Sequence, residues 1–103
     1  MSGKQWDADI ANELEADGLK IVEGTNGAMG TAVLVGGSKV VANTRVTANS
    51  RIFLTSNVDG GTPGWLRVSA RTAGTSFTIT SSSGTDTSTV AYMIVEPGAS
   101  DDD

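Results

Sequence analysis

The sequence predicts an all-β domain, an antiparallel β-sandwich or jelly roll, preceded by a short N-terminal amphipathic helix. Three observations carry this expectation. Serine and threonine together number 24 of the 103 residues, mostly after residue 25; threonine suits strands, while serine and glycine populate the turns between them. Turn clusters recur at short intervals in the same region, at Gly24-Thr25-Asn26-Gly27, Gly36-Gly37 and Asp59 to Gly64, with no helical period between them. Ahead of that region the texture differs: Trp6, Ile10 and Leu14 fall at successive i, i+4 spacings, which is the period of one helix face. Three segments follow, an acidic helix or arm over 1–24, a β-sandwich over 25–98 and a disordered acidic tail over 99–103.

Taken in order, the helix is expected over Gln5 to Ala16. Asp7 and Asp9 lie near its start, where the dipole is positive, and Asp17-Gly18 supplies a stop. Its apolar stripe packs either on its own domain or on a neighbouring subunit. Six strands are expected at Thr31 to Val35, Lys39 to Ala42, Arg51 to Ser56, Trp65 to Thr72, Ser76 to Ser81 and Thr89 to Glu96. Gly36-Gly37 reads as a tight hairpin turn that needs positive φ. Phe77 and Ile79 share a face between threonines, whereas Val90 to Val95 is apolar on both faces, so the last strand should be central or covered. Val40 to Arg45 is echoed by Val46 to Arg51. Two copies are too few for a β-helix, so they read as two successive corners, with Asn43 and Asn49 as turn residues tolerant of left-handed geometry.

Composition excludes several functions. With no cysteine and no histidine, the chain lacks thiolate and imidazole chemistry, and with them the commonest metal ligands and the commonest general base. The net charge of −5 is unevenly spread: residues 1–24 carry −4, residues 25–98 carry +2, and Asp101 to Asp103 carry −3. Five scattered cations do not make the dense basic face that nucleic acid requires. No apolar run approaches the roughly 20 residues of a membrane helix, and no signal-peptide layout opens the chain. The expected protein is soluble and made in a cytoplasm.

Candidate chemistry is correspondingly thin. Ser81-Ser82-Ser83-Gly84 beside Asp86 reads as a polar loop rather than a nucleophile with its base. Asp59 and Asp86 each read as turn residues, and together with Glu96 they are the only carboxylates of the β body, a poor basis for a glycosidase pair. The glycines follow neither the P-loop nor the dinucleotide spacing. No catalytic residue, metal site or cofactor is therefore expected. Trp65, after Pro63-Gly64, either covers an end of the sandwich or offers its ring to a sugar.

Residues 28–97 resemble a β-domain recurrent in phage structural proteins. The resemblance rests on Thr47-Ala48-Asn49-Ser50-Arg51-Ile52, Ala73-Gly74-Thr75-Ser76-Phe77-Thr78-Ile79 and the closing Val90 to Pro97. It is similar to the module at the ends of tail-fibre chains, also found alone as a capsid-decoration or head-fibre protein. The resemblance implies a virion location and a homotrimer but leaves open which part of the virion; the short acidic helix and free-standing β body suit the capsid surface, with the major capsid protein as partner. It leads to a non-enzymatic decoration protein that stabilises the head by bridging capsid subunits. The alternative is a tail-fibre or head-fibre module binding a host surface glycan. The residues expected to make contacts are Trp6, Ile10 and Leu14 as an apolar arm, Arg45, Arg51, Arg67 and Arg71 as cationic donors, and Trp65.

Overall fold

A computed structural model describes residues 20–98. It contains six strands: β1 (Met29–Val33), β2 (Ser38–Ala42), β3 (Arg51–Val58), β4 (Leu66–Thr72), β5 (Ser76–Ser81) and β6 (Thr89–Val95). Each expected strand is present, with ends moved by two residues at most. There is no helix among the described residues, and the one expected over Gln5 to Ala16 lies outside them, as does the tail after Gly98.

The strands form two antiparallel three-stranded sheets, ordered β1-β6-β3 and β2-β5-β4. β6 is central in the first sheet, as its two apolar faces require. Its inward side chains Val90, Tyr92 and Ile94 are buried together with Ala32 of β1, Val41 of β2 and Phe77 and Ile79 of β5. The two sheets therefore share one core between their inner faces, the arrangement of a sandwich. Ile52, Leu54, Leu66 and Val68 close it along the β3–β4 side. Across the middle, the rings of Phe77 and Tyr92 meet edge to face at 5.1 Å and 74°, a geometry worth about 1 kcal/mol beyond burial. Opposite Tyr92 stands Gly30, where an added Cβ would come within 2.5 Å of the Tyr92 hydroxyl; the glycine makes room for the ring.

Gly36 and Gly37 both take positive φ, 59° and 83°, and Val35 and Ser38 exchange backbone hydrogen bonds across them. The tight turn is as expected, but the hairpin is not. β1 pairs with β6 and β2 with β5, so the chain turns sharply and then divides between the sheets, because each strand finds its apolar partner elsewhere. The segment between β2 and β3 makes the two expected corners, closed by Val46 N–H to Asn43 O and Ser50 N–H to Thr47 O. Neither Asn43 nor Asn49 is left-handed; among the described residues Asn26 is the non-glycine residue with positive φ. Asn43 turns the chain with its side chain instead. Its Oδ1 accepts from Arg45 N–H at 2.8 Å and its Nδ2 donates to Gly27 O at 2.9 Å, the Asx-turn chemistry that substitutes for a backbone turn.

β3 and β4 each carry a bulge, at Ser56/Val58 and Val68/Ala70. Both are edge strands, where a bulge interrupts the flat run of groups that would otherwise template pairing with another chain.

Candidate functional site

Three connections cross between the sheets at one end of the sandwich: residues 34–37, 59–65 and 82–88. They converge on Asp86, whose side chain is only 1% exposed. Its Oδ2 accepts from Ser81 Oγ at 2.6 Å and from Gly64 N–H at 2.9 Å, and its Oδ1 accepts from Ser88 N–H at 2.9 Å. The Asp86 carbonyl accepts from Gly37 N–H at 3.0 Å, which brings in the third connection. These hydrogen bonds, from Ser81 first and then Ser88 and Gly64, hold the carboxyl well below the usual carboxylate range, although burial pushes it the other way. The charge is stabilised by oriented donors.

This hub positions Trp65. Gly64, the residue before it, is fixed on Asp86, and the Trp65 backbone exchanges bonds with Ser82: its N–H donates to Ser82 Oγ at 3.0 Å and its carbonyl accepts from Ser82 N–H at 2.9 Å. The β4–β5 ladder is thereby extended past Leu66, and the indole is left 83% exposed. Of the two sequence expectations for Trp65, covering the sandwich end is the one the structure does not show. The side chain continues the outward row of β4 that includes Arg67, paired with Thr80. Around that row the outer face of the second sheet is rich in hydroxyls, with Ser76, Thr78 and Thr80 on β5 and a 2.7 Å bond between Ser69 Oγ and Thr80 Oγ1.

The four arginines are not one patch. Arg45 donates to Asn26 O at 3.2 Å, Arg51 to Asn49 O, and Arg71 to Ser50 O at 3.1 Å, so these three brace the corners at the opposite end. Arg67 stands apart from them on the outward face of β4, near Trp65 in the chain. Trp6, Ile10 and Leu14 lie outside the described residues. At the corner end Glu96 accepts from Ser50 Oγ and from Thr47 Oγ1, the latter at 2.7 Å. Ser50 first and then Thr47 lower its carboxyl, with the Arg51 charge a lesser addition, while burial pushes it the other way.

Sequence reasoning read Asp86 as an ordinary turn residue and missed it as an organising centre. One signal was available, the Asp86-Thr87-Ser88 run, in which an Asx turn to Ser88 is local. The bond to Gly64 joins residues 22 apart and has no local signature.

Little in this arrangement can move a proton. Asp86 is held ionised and enclosed, unlike a general acid, whose pKa must lie near the working pH. A cleft of about 590 Å³ beside β1 is bordered by Glu23, Thr25, Thr31 and Tyr92, with Glu23 its one carboxylate among the described residues. Among the described residues no three metal-ligating side chains gather.

A six-stranded sandwich with a solvent-facing indole on a fixed loop defines the class as a β-module suited to contact. More particularly, the chain belongs to the family described as K1 capsule-specific polysaccharide lyase, C-terminal domain, whose profile matches residues 26–95. A search of curated proteins gave no match. The family match supports a relation to phage proteins, as the sequence resemblance implied, without singling out capsid decoration.

Proposed function

We propose that this chain is a non-catalytic, virion-associated module of the tail-spike or fibre type that binds a surface polysaccharide. Of the two expectations from sequence, this is the fibre alternative, and the family match supports it better than capsid decoration. The observation that carries the proposal is Trp65, 83% exposed on a loop whose backbone is fixed by Asp86 and Ser82. Exposing an indole to water forfeits about 2 to 3 kcal/mol of burial, so a rigidly presented one is suited to a ring that stacks on it. Arg67 and the neighbouring hydroxyls of β5 supply donors and acceptors for sugar oxygens, and the fixed loop limits the entropy lost on binding.

The test is titration of the full chain with purified K1 capsular polysaccharide, compared with Trp65→Ala. Binding should weaken by about tenfold or more, the loss of roughly 1.4 kcal/mol or more of stacking and burial, while melting is unchanged because the side chain supports no packing. Equal binding by both proteins, or none by either, would overturn the reading. Labelling of particles adds a second arm. Signal at the tail supports the spike reading, and signal spread over the head supports decoration of the capsid instead.

A further inference from the structure

The cleft beside β1 shares no residue with the loop that carries Trp65. Val41 and Ala42 of β2 and the turn at Glu23 to Thr25 stand on its walls. Its volume of about 590 Å³ falls in the range of roughly 300 to 1,000 Å³ found for small-ligand sites. The turn is fastened on two sides. Gly24 N–H donates to Met29 O at 3.1 Å and Gly27 N–H to Gly24 O at 2.9 Å, while Thr44 N–H donates to Asn26 Oδ1 at 3.0 Å. The cleft wall is therefore tied both to β1 and to the corner after β2.

Tyr92 supplies the observation that points to a ligand. The residue is only 5% exposed, and its ring reaches over β1 into the space left by Gly30, whose added Cβ would meet the hydroxyl end of the ring. β1 is an edge strand, so the hydroxyl arrives at the rim of the sandwich, where Gly30 and Tyr92 line the cleft together. Among the described residues this hydroxyl has no hydrogen-bond partner, yet no buried side-chain polar atom is left unpaired. It therefore opens into the cleft instead of being sealed in the core, where phenylalanine would pack as well. We infer that the cleft is a second carbohydrate subsite, holding a neutral sugar unit against the Tyr92 hydroxyl. Glu23, Thr25 and Thr31 border it with acceptors and hydroxyls for sugar oxygens, and Val41 and Ala42 give an apolar wall for the C–H face of the ring. Charge selects among ligands. Glu23 is the charged side chain among the described residues of the cleft, so a carboxylate or phosphate is repelled, and one carboxylate without companions is a poor cation site. The inference rests on the polysaccharide reading for the kind of ligand, but on none of the residues that carry that reading.

The test is a titration of the full chain with oligosaccharides cut from K1 capsular polysaccharide, followed amide by amide in two-dimensional NMR spectra. The Thr25, Gly30 and Thr31 amides should shift and saturate. In Tyr92→Phe, which keeps the ring, the midpoint of those shifts should rise about fivefold or more, the loss of one hydrogen bond, while shifts at Trp65 and Arg67 keep their midpoint. Glu23→Ala, at an exposed side chain, should weaken the same set of shifts, and it serves as the test should Tyr92→Phe disturb the core. Shifts confined to Trp65 and its neighbours, or a cleft midpoint that neither variant moves, overturn the subsite and leave the polysaccharide reading standing. Shifts confined to the cleft support the subsite and overturn the role given to Trp65. No shift at either place overturns both.

Discussion

The two ends of the sandwich are each organised by a carboxylate that accepts from serine or threonine hydroxyls, yet one is enclosed and the other is open to water. Asp86 is buried among three connections and fixes backbone amides at Gly64 and Ser88. Glu96 lies at the surface and takes only side-chain hydroxyls, from Thr47 and Ser50. The difference is one of alternatives. Water can replace Thr47 and Ser50 as donors to an exposed carboxylate, but nothing can replace the donors of an enclosed one without leaving polar groups unpaired. Similar local chemistry should therefore carry unequal weight.

The largest expected effect falls on the packing that closes the Asp86 end. At Gly37, with φ of 83°, a Cβ would stand 2.3 Å from the Ser83 carbonyl oxygen. Gly37→Ala should cost about 3 kcal/mol or more from strain and overlap with fixed backbone, lowering the melting temperature by roughly 15 °C. A variant melting within a few degrees of the parent would show that this end is looser than the Asp86 bonds imply.

Next comes the hub itself. Asp86→Asn keeps the size but turns one acceptor into a donor facing donors already in place, and the melting temperature should fall on the order of 10 °C. Calorimetry of the two proteins at neutral pH checks this, and equality would mean that the buried charge organises nothing.

Acid sharpens the comparison. Both carboxyls have folded pKa values below their ordinary ones, so the stability they contribute is present above an ordinary carboxylate pKa of about 4 and is lost as pH falls below it. Melting temperature should be level at neutral pH and drop on the acid side. Asp86→Asn should flatten that limb more than Glu96→Gln does. The reverse order would assign the acid sensitivity to the surface staple.

Glu96→Gln has the smallest expected effect, roughly 3 °C or less at neutral pH, because the amide oxygen still accepts from one hydroxyl and water serves the other. A drop as large as that of Asp86→Asn would erase the distinction between the two ends.

Legibility followed the range of the interactions. The six strands could be read because alternation and β-branched content are properties of a few consecutive residues, and β6 announced its central place by being apolar on both faces. Gly36-Gly37 revealed its positive φ but not that β1 and β2 part company after it, since that depends on which strands Met29–Val33 and Ser38–Ala42 find across the core. Asn43 was recognised as a corner residue, and the side-chain bond that turns the chain, to Arg45 N–H, is local; its anchoring to Gly27 O, 16 residues away, has no local signature. Trp65 was recognised as a candidate with two fates, and its exposure was settled by the loop that carries it.

By itself the sequence determined the strand-forming segments, the turns and the lack of imidazole and thiol chemistry, because each of these is local or compositional. Tertiary structure alone decided that the hydroxyls of β5 line up beside Trp65 and Arg67 on one outer face, and that Asp86 holds its own connection to two others. Both depend on pairings between residues far apart in the chain, and pairings of that range are chosen by the burial of a shared core rather than by any short stretch of sequence.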